Sequence, residues 1–178
     1  MAFLRRKTEE APPPVITVIN GIKPHDALCL RAEKFLRSNG FSVAFSDRFQ
    51  AGVATGEKPD ALGFRNGASC LVEVKCSRSD FLTDRKKHFR MTPEFGMGDW
   101  RFFMSEPGII SVSDLPEGWG LLHVVGRSVI KVHGWPANTM WLDHKPFKAN
   151  KQAECDFLYS ALRRINMLSK SEQGNHEN

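Results

Sequence analysis

The sequence predicts a single α/β domain, on three observations. With 178 residues, 41% of them apolar, the chain is long enough for one core and too apolar for wholesale disorder. Apolar residues recur at helical spacing near both ends of the chain. Between those segments lie runs of strand-like composition joined by two-residue turn signals.

Residues 1–14 carry basic residues, two acids and the run Pro12-Pro13-Pro14, a composition that suits a flexible arm ahead of a domain over 15–169. From about 25 to 39, Leu28, Ala32, Phe35 and Leu36 form one helical face, and Gly40 supplies the stop. Residues 41–49 alternate, with Val43 and Phe45 on one side, and read as a strand leading through a Gly-rich loop over 51–56. Asn66-Gly67 is the strongest short hairpin signal and sits between two further strand-like segments. Residues 77–90 predict one helix, with Ser77 and Asp80 spaced as a capping box and Phe81, Leu82 and Phe89 facing inward. Residues 91–99 hold too much Gly and Pro for regular structure, whether as a substrate-facing loop or a connector. Residues 100–105 read as a buried strand whose aromatics belong to the core. Gly126-Arg127 joins two more strands, over 119–125 and 128–133, and His123 and His133 within them read as structural histidines. A last helix runs over 151–169 on Leu158, Ala161, Ile165 and Leu168, followed by a disordered tail over 170–178.

The first hairpin carries the chemistry. Counting outward from a two-residue turn at Asn66-Gly67 pairs Leu62 with Leu71 and then sets Asp60 opposite Glu73. Cross-strand partners share a face, as do residues two apart on a strand, so Asp60, Glu73 and Lys75 are expected to project together. Like charges placed opposite each other destabilise a sheet by up to about 1 kcal/mol, and a hard divalent cation removes that penalty. Lys75 would then orient or deprotonate a water, or stabilise charge building on a phosphate. The plainer reading is that Asp60 closes a turn after Pro59 while Glu73 and Lys75 form a surface pair with Lys58.

Pro59-Asp60, twelve intervening residues and then Glu73-Val74-Lys75 resembles the signature of the PD-(D/E)XK nuclease superfamily. The stretch from Glu73 to Lys86, with Ser77, Asp80, Phe81, Asp84 and Lys86 in order, is similar to the MmcB-type DNA repair branch, and the resemblance covers about residues 25–125. It implies a restriction-endonuclease-like, three-layer α/β/α fold around a central mixed β-sheet, with Mg²⁺- or Mn²⁺-dependent cleavage of DNA. By the same resemblance Asp60 and Glu73 hold the metal and Lys86 assists from the following helix. Glu33 matches the acid that related nucleases draw from the first helix. Asp80 and Asp84 either lie around the metal site or simply pair with Lys87.

Charge and cysteine usage narrow the partners. Lys and Arg number 25 against 20 Asp and Glu, with a pI near 9.2, which favours a polyanion such as DNA. Arg78, Arg85, Lys87 and Arg90 are the candidate phosphate contacts beside the Glu-x-Lys. Cys29, Cys70, Cys76 and Cys155 lack zinc-site spacing and read as reduced core thiols. Without an export signal, an apolar run near 18 residues or a phosphate loop, the expectation is a cytoplasmic protein with no nucleotide cofactor. Two functions remain: a metal-dependent DNA endonuclease acting in repair or in phage or mobile-element DNA processing, and a non-catalytic or partner-dependent nucleic-acid-binding module on the same fold. A homodimer or a partner protein is compatible with either.

Overall fold

The computed structural model describes residues 21–47, 53–84 and 86–174. The arm expected over 1–14, the loop from 48 to 52, Arg85 and the side chains of Phe89 and Leu168 lie outside what is described.

Helix α1, Pro24–Ser38, starts on Pro24 at its first turn and buries Leu28, Cys29, Ala32, Phe35 and Leu36 along one stripe. Strand β1, Val43–Ser46, follows, and its regular part is shorter than the expected 41–49. Strands β2, Ala61–Arg65, and β3, Ala68–Lys75, form the anticipated hairpin. Their register pairs Arg65 with Ala68, Leu62 with Leu71 and Ala61 with Val72, as the two-residue loop dictates. Gly67 takes φ +77°, a left-handed conformation that glycine reaches without a Cβ clash.

The stretch expected to be one helix over 77–90 is broken. Helix α2 spans Arg78–Asp84 and helix α3 only His88–Met91. Ser77 Oγ does accept from the Asp80 N–H, 3.2 Å, so the start is capped as expected. Lys87 is extended at φ −67°, ψ 139°, and this break turns Arg90 back onto Asp84, which an unbroken helix would place on a different face. Leu82 is exposed rather than inward, while Phe81 is fully buried.

Strand β4, Trp100–Ser105, is buried along its whole length, and β5, Trp119–Val125, and β6, Ser128–His133, close the sheet as a hairpin. The order is β1-β2-β3-β4-β5-β6. β3, β4 and β5 run parallel, and the outer pairs are antiparallel, so the sheet is mixed. Helix α4, Lys151–Gly174, continues beyond the expected end at 169 into the segment read as a tail. Its buried stripe is Ala153, Phe157 and Ala161, whereas Ile165 is exposed. Only the first part of the helix rests on the sheet.

Hydrophobic residues fall into two clusters, one on each face of the sheet. The first joins α1 to Cys70, Val72, Val74, Phe102 and Met104 and includes Trp141. The second joins Phe81 and α4 residues Ala153, Phe157 and Ala161 to Leu62, Leu71, Phe103 and Leu121. Alternate residues of β3 therefore feed opposite cores, and Glu73 and Lys75 share the face of Leu71. At the other end of β3, Ser69 Oγ, Asp99, Glu154 and Lys151 bond to one another and pin the start of α4. Cys29 and Cys70 are buried as expected, but Cys155 is exposed on α4, and all four thiols are free. Among the described residues no helix is long and apolar enough to cross a membrane.

Candidate functional site

The hairpin register carries one step past the last pair, Ala61 with Val72, to set Asp60 beside Glu73, and the backbone N–H of Asp47 bonds the Asp60 carbonyl at 2.9 Å. The side chains then part. Asp60 lies one residue beyond β2, where strand alternation no longer governs direction. Its Oδ2 accepts from the Val74 N–H at 2.8 Å, and its Oδ1 meets His25 Nε2 of α1 at 3.2 Å. Glu73 points to the opposite face. The expectation that Asp60, Glu73 and Lys75 form one patch is therefore met for Glu73 and Lys75, 3.4 Å apart, and not for Asp60.

Glu73 and Lys75 belong to a buried charge cluster, at 2% and 3% exposure. Lys75 Nζ also stands 3.4 Å from Asp84 Oδ1. Arg90 sits at the centre, 2.7 Å from Glu57, 2.8 Å from Glu73 and 2.9 Å from Asp84, with its guanidinium over the Trp119 ring. The Glu73–Arg90 contact is an ion pair without hydrogen-bond alignment, so charge rather than direction holds it. Lys87 closes on Asp84 from the solvent side at 2.6 Å. A cavity of about 190 Å³ lined by Asp84, Arg90, Phe103, Pro116 and Trp119 opens onto the cluster.

The electrostatics follow from this packing. Burial raises the Glu73 carboxyl to about 7, with Asp60 and Asp84 adding to the rise against the pull of Arg90 and Lys75. Burial also raises Glu57 above its ordinary value, although Arg90 opposes it. Asp84 goes the other way: burial works upward on it, but Arg90, Lys75 and Lys87 outweigh burial and hold it at about 2. The same acids keep Lys75 and Arg90 firmly charged despite burial. The cluster thus sets two carboxyls raised by burial, Glu73 and Glu57, among Asp84, Lys75 and Arg90, which are held in their charged forms.

Several expected roles change. Arg90 is buried among three carboxylates and is not a surface phosphate contact. Arg78 is bound by Asp114 through both of its terminal nitrogens, at 2.5 and 2.6 Å. Lys86 is exposed at the helix break, and Lys87, not Lys86, contacts the acid cluster. Asp84 is an integral member of the cluster, while Asp80 sits half-buried on α2 near enough to Lys75 to add to its positive bias. Glu33 accepts from the Ser46 N–H at 3.0 Å and pairs with Arg37 at 3.3 Å, tying α1 to β1. Arg85 lies outside the described residues.

The expected metal set of Asp60, Glu73 and Glu33 is not gathered at one point. Among the described residues, the groups of three possible ligands with donor atoms within 4.8 Å of one another are His25, Cys29 and Asp60, and His25, Asp26 and Asp47. The sequence reading missed both Glu57 and His25. Glu57 carries no local signal, since it enters from a loop and meets Arg90 across 33 positions. His25 and Cys29 did carry one: four residues apart on a helix, they share a face.

No protein-family model matches the chain, and no curated protein matches it. A solved structure does: the SPO1766 protein of unknown function from Silicibacter pomeroyi is 24% identical, with a TM-score of 0.56, over 81% of this chain and 90% of that one. That likeness shows the fold, a single α/β domain on a six-stranded mixed sheet.

Proposed function

We propose that the chain is a Mg²⁺- or Mn²⁺-dependent DNA nuclease with a restriction-endonuclease-like fold, of the PD-(D/E)XK superfamily. The observation that carries the reading is Glu73 buried beside Lys75 at the end of a central strand, with Asp60 next to it across the hairpin. Around Glu73 three buried carboxylates face two buried cations, and Asp60 adds a further acid at the edge. Burial, with Asp60 and Asp84 nearby, raises the Glu73 carboxyl to about 7, and a bound cation would relieve that cost of keeping it ionised. The donor types fit a hard divalent ion, and the reading requires Asp60 to leave His25 and the Val74 N–H and turn toward Glu73.

The ion would supply charge stabilisation at the phosphate and an activated water. Glu73 and Asp60 are the residues that would hold it. Lys75, kept charged by Glu73 and Asp84, is placed to stabilise negative charge developing on a phosphoryl oxygen. Arg90 fixes the Glu73 carboxylate in place, and Asp84 in turn fixes Arg90 and Lys75. On the α1 side, Arg31, Lys34 and Arg127 border a cavity of about 640 Å³, a basic surface suited to a phosphate backbone.

Cleavage of single-stranded, duplex, flap and branched DNA, each with Mg²⁺, Mn²⁺ or EDTA, tests the reading. Wild type is expected to cut at least one substrate with metal only, and Glu73→Gln and Asp60→Asn, folded and still binding DNA, are expected to lose about 10² or more in rate. A second reading, a nucleic-acid-binding module without catalysis, draws on the same burial, since Glu73 and Lys75 are already satisfied by protein partners. DNA binding with no cutting of any substrate by wild type would establish it and sink the nuclease.

A further inference from the structure

We propose that His25, Cys29 and Asp60 form a second metal site, one that takes a borderline-soft transition ion of the Zn²⁺ type rather than Mg²⁺. The three donors differ in kind: an imidazole nitrogen, a thiol sulfur and a carboxylate oxygen. His25 and Cys29 stand one turn apart on α1, and Asp60 comes to them from the end of β2.

The three donor atoms lie within 4.8 Å of one another. His25 Nε2 lies 3.2 Å from Asp60 Oδ1 and 3.9 Å from Cys29 Sγ. A tetrahedral zinc with ordinary Zn–N, Zn–O and Zn–S bonds puts neighbouring donors about 3.3–3.6 Å apart, which the His25–Asp60 pair already matches, while the Cys29 thiol has to swing toward Nε2. The other ring nitrogen, Nδ1, stands 3.5 Å from Cys29 Sγ and 3.6 Å from the Asp26 carboxylate, and once the thiol turns to Nε2 the carboxylate is the kind of partner that orients a metal-bound histidine. Cys29 is fully buried while His25 is 40% exposed, which leaves one side open for ion entry and for a fourth ligand from solvent.

A second observation points the same way. The Ser46 hydroxyl is fully buried without a hydrogen-bond partner. By the alternation of β1 it faces α1, on the side of Ala44, and its cross-strand partner is Ala61, next to Asp60. A buried hydroxyl left unpaired at that place is the kind of group that a metal-bound water would satisfy. The donor set argues against Mg²⁺, which prefers oxygen ligands, and for an ion that accepts sulfur and imidazole. Binding releases the Cys29 thiol proton to solvent, and also the His25 ring proton when it is present, so the site gains one positive ion and loses one or two protons.

The proposal shares Asp60 with the nuclease reading but not Glu73, so the two ions would draw on one carboxylate in different side-chain positions, and Cys29 and Glu73 tell them apart. The test uses the full chain, stripped of metal by a chelator and titrated with Co²⁺ and then Zn²⁺. One Co²⁺ per chain is expected, with tetrahedral ligand-field bands and a thiolate-to-cobalt charge-transfer band that Zn²⁺ abolishes and excess Mg²⁺ does not. Cys29→Ser should remove the charge-transfer band. His25→Ala, at a half-exposed position where folding is safe, should weaken Zn²⁺ binding about tenfold or more in competition with a chromophoric chelator. Glu73→Gln should change neither. Absence of Co²⁺ binding, a charge-transfer band that survives Cys29→Ser, or Zn²⁺ affinity unchanged in His25→Ala would each overturn the site. Loss of the site with Glu73-dependent cleavage intact would leave the nuclease standing, and the reverse result would leave the metal site standing.

Discussion

Replacing Arg90 by Met should unfold the protein's charge cluster from the inside. The guanidinium is within 2.9 Å of three buried carboxylates, Glu57, Glu73 and Asp84, and Met keeps much of its apolar contact with Trp119 while removing the charge. Deleting one partner of a buried ion pair costs about 3–5 kcal/mol, because the other charge is left without compensation. For a domain of this size that corresponds to a fall in Tm of about 6–20 °C. The loss has a pH signature whose sign is fixed. Without Arg90 the Glu57 and Glu73 carboxyls, already raised, rise further above their unfolded values, and a carboxyl raised in the folded state stabilises below the unfolded value and loses that contribution as pH climbs through the folded one. The Glu73 carboxyl already stands at about 7, so the deficit of Arg90→Met should be smallest near pH 5 and greatest above pH 7. Urea unfolding followed by circular dichroism from pH 5 to 8.5 measures it. A loss below about 1 kcal/mol at pH 8, the size expected of an exposed arginine, would refute the buried-cluster reasoning.

Two further outcomes are expected. His25 should titrate at about 9 by NMR, held up by its bond to Asp60, and Asp60→Asn should return it toward the ordinary value near 6.5; the stability that Asp60 lends through this pair is present below about 6.5 and fades as pH rises through 9, so wild type and Asp60→Asn should converge in Tm across that window. Gly120→Ala should cost about 1–3 kcal/mol or more, since a Cβ there would lie 2.2 Å from the Phe102 ring and 2.8 Å from the His133 carbonyl oxygen, and thermal melts of the variant would show it as a Tm drop.

What could be read from the sequence was whatever short-range geometry determines. The Asn66-Gly67 turn gave a count along both strands that the observed register reproduces, and Gly126-Arg127 marked the β5–β6 hairpin, whose register slips only at Leu121/Leu122. Helix α1 showed in its apolar stripe because one face packs on the sheet. The misreadings share a cause: they concern side chains whose direction is set by distant partners. Asp60 lies where the strand has ended, so alternation could not tell that it turns to His25. Arg90 reads as surface charge in a helical pattern, and only the break at Lys87 and a glutamate 33 residues away make it a buried hub. The α4 stripe held at Leu158 and Ala161 and failed at Ile165, because the helix outruns the sheet that covers it and Leu162 and Ile165 stay in solvent.

The burial of β3 on both faces has a consequence for how the chain finds its register. An ordinary half-exposed strand is held in place because a one-residue slip would turn its apolar side to water. β3 lacks that safeguard: Cys70, Val72 and Val74 face one core and Leu71 the other, so a slipped strand would still bury hydrocarbon on either side. Glu73 and Lys75 supply the missing discrimination. A slip would drive two charges into the apolar layer beneath α1, away from Arg90 and Asp84, at a cost that no packing of Val or Leu could offset. The same pair that marks the candidate site therefore indexes the sheet together with the Asn66-Gly67 loop, and a variant that neutralises both charges would leave the loop alone to hold the alignment.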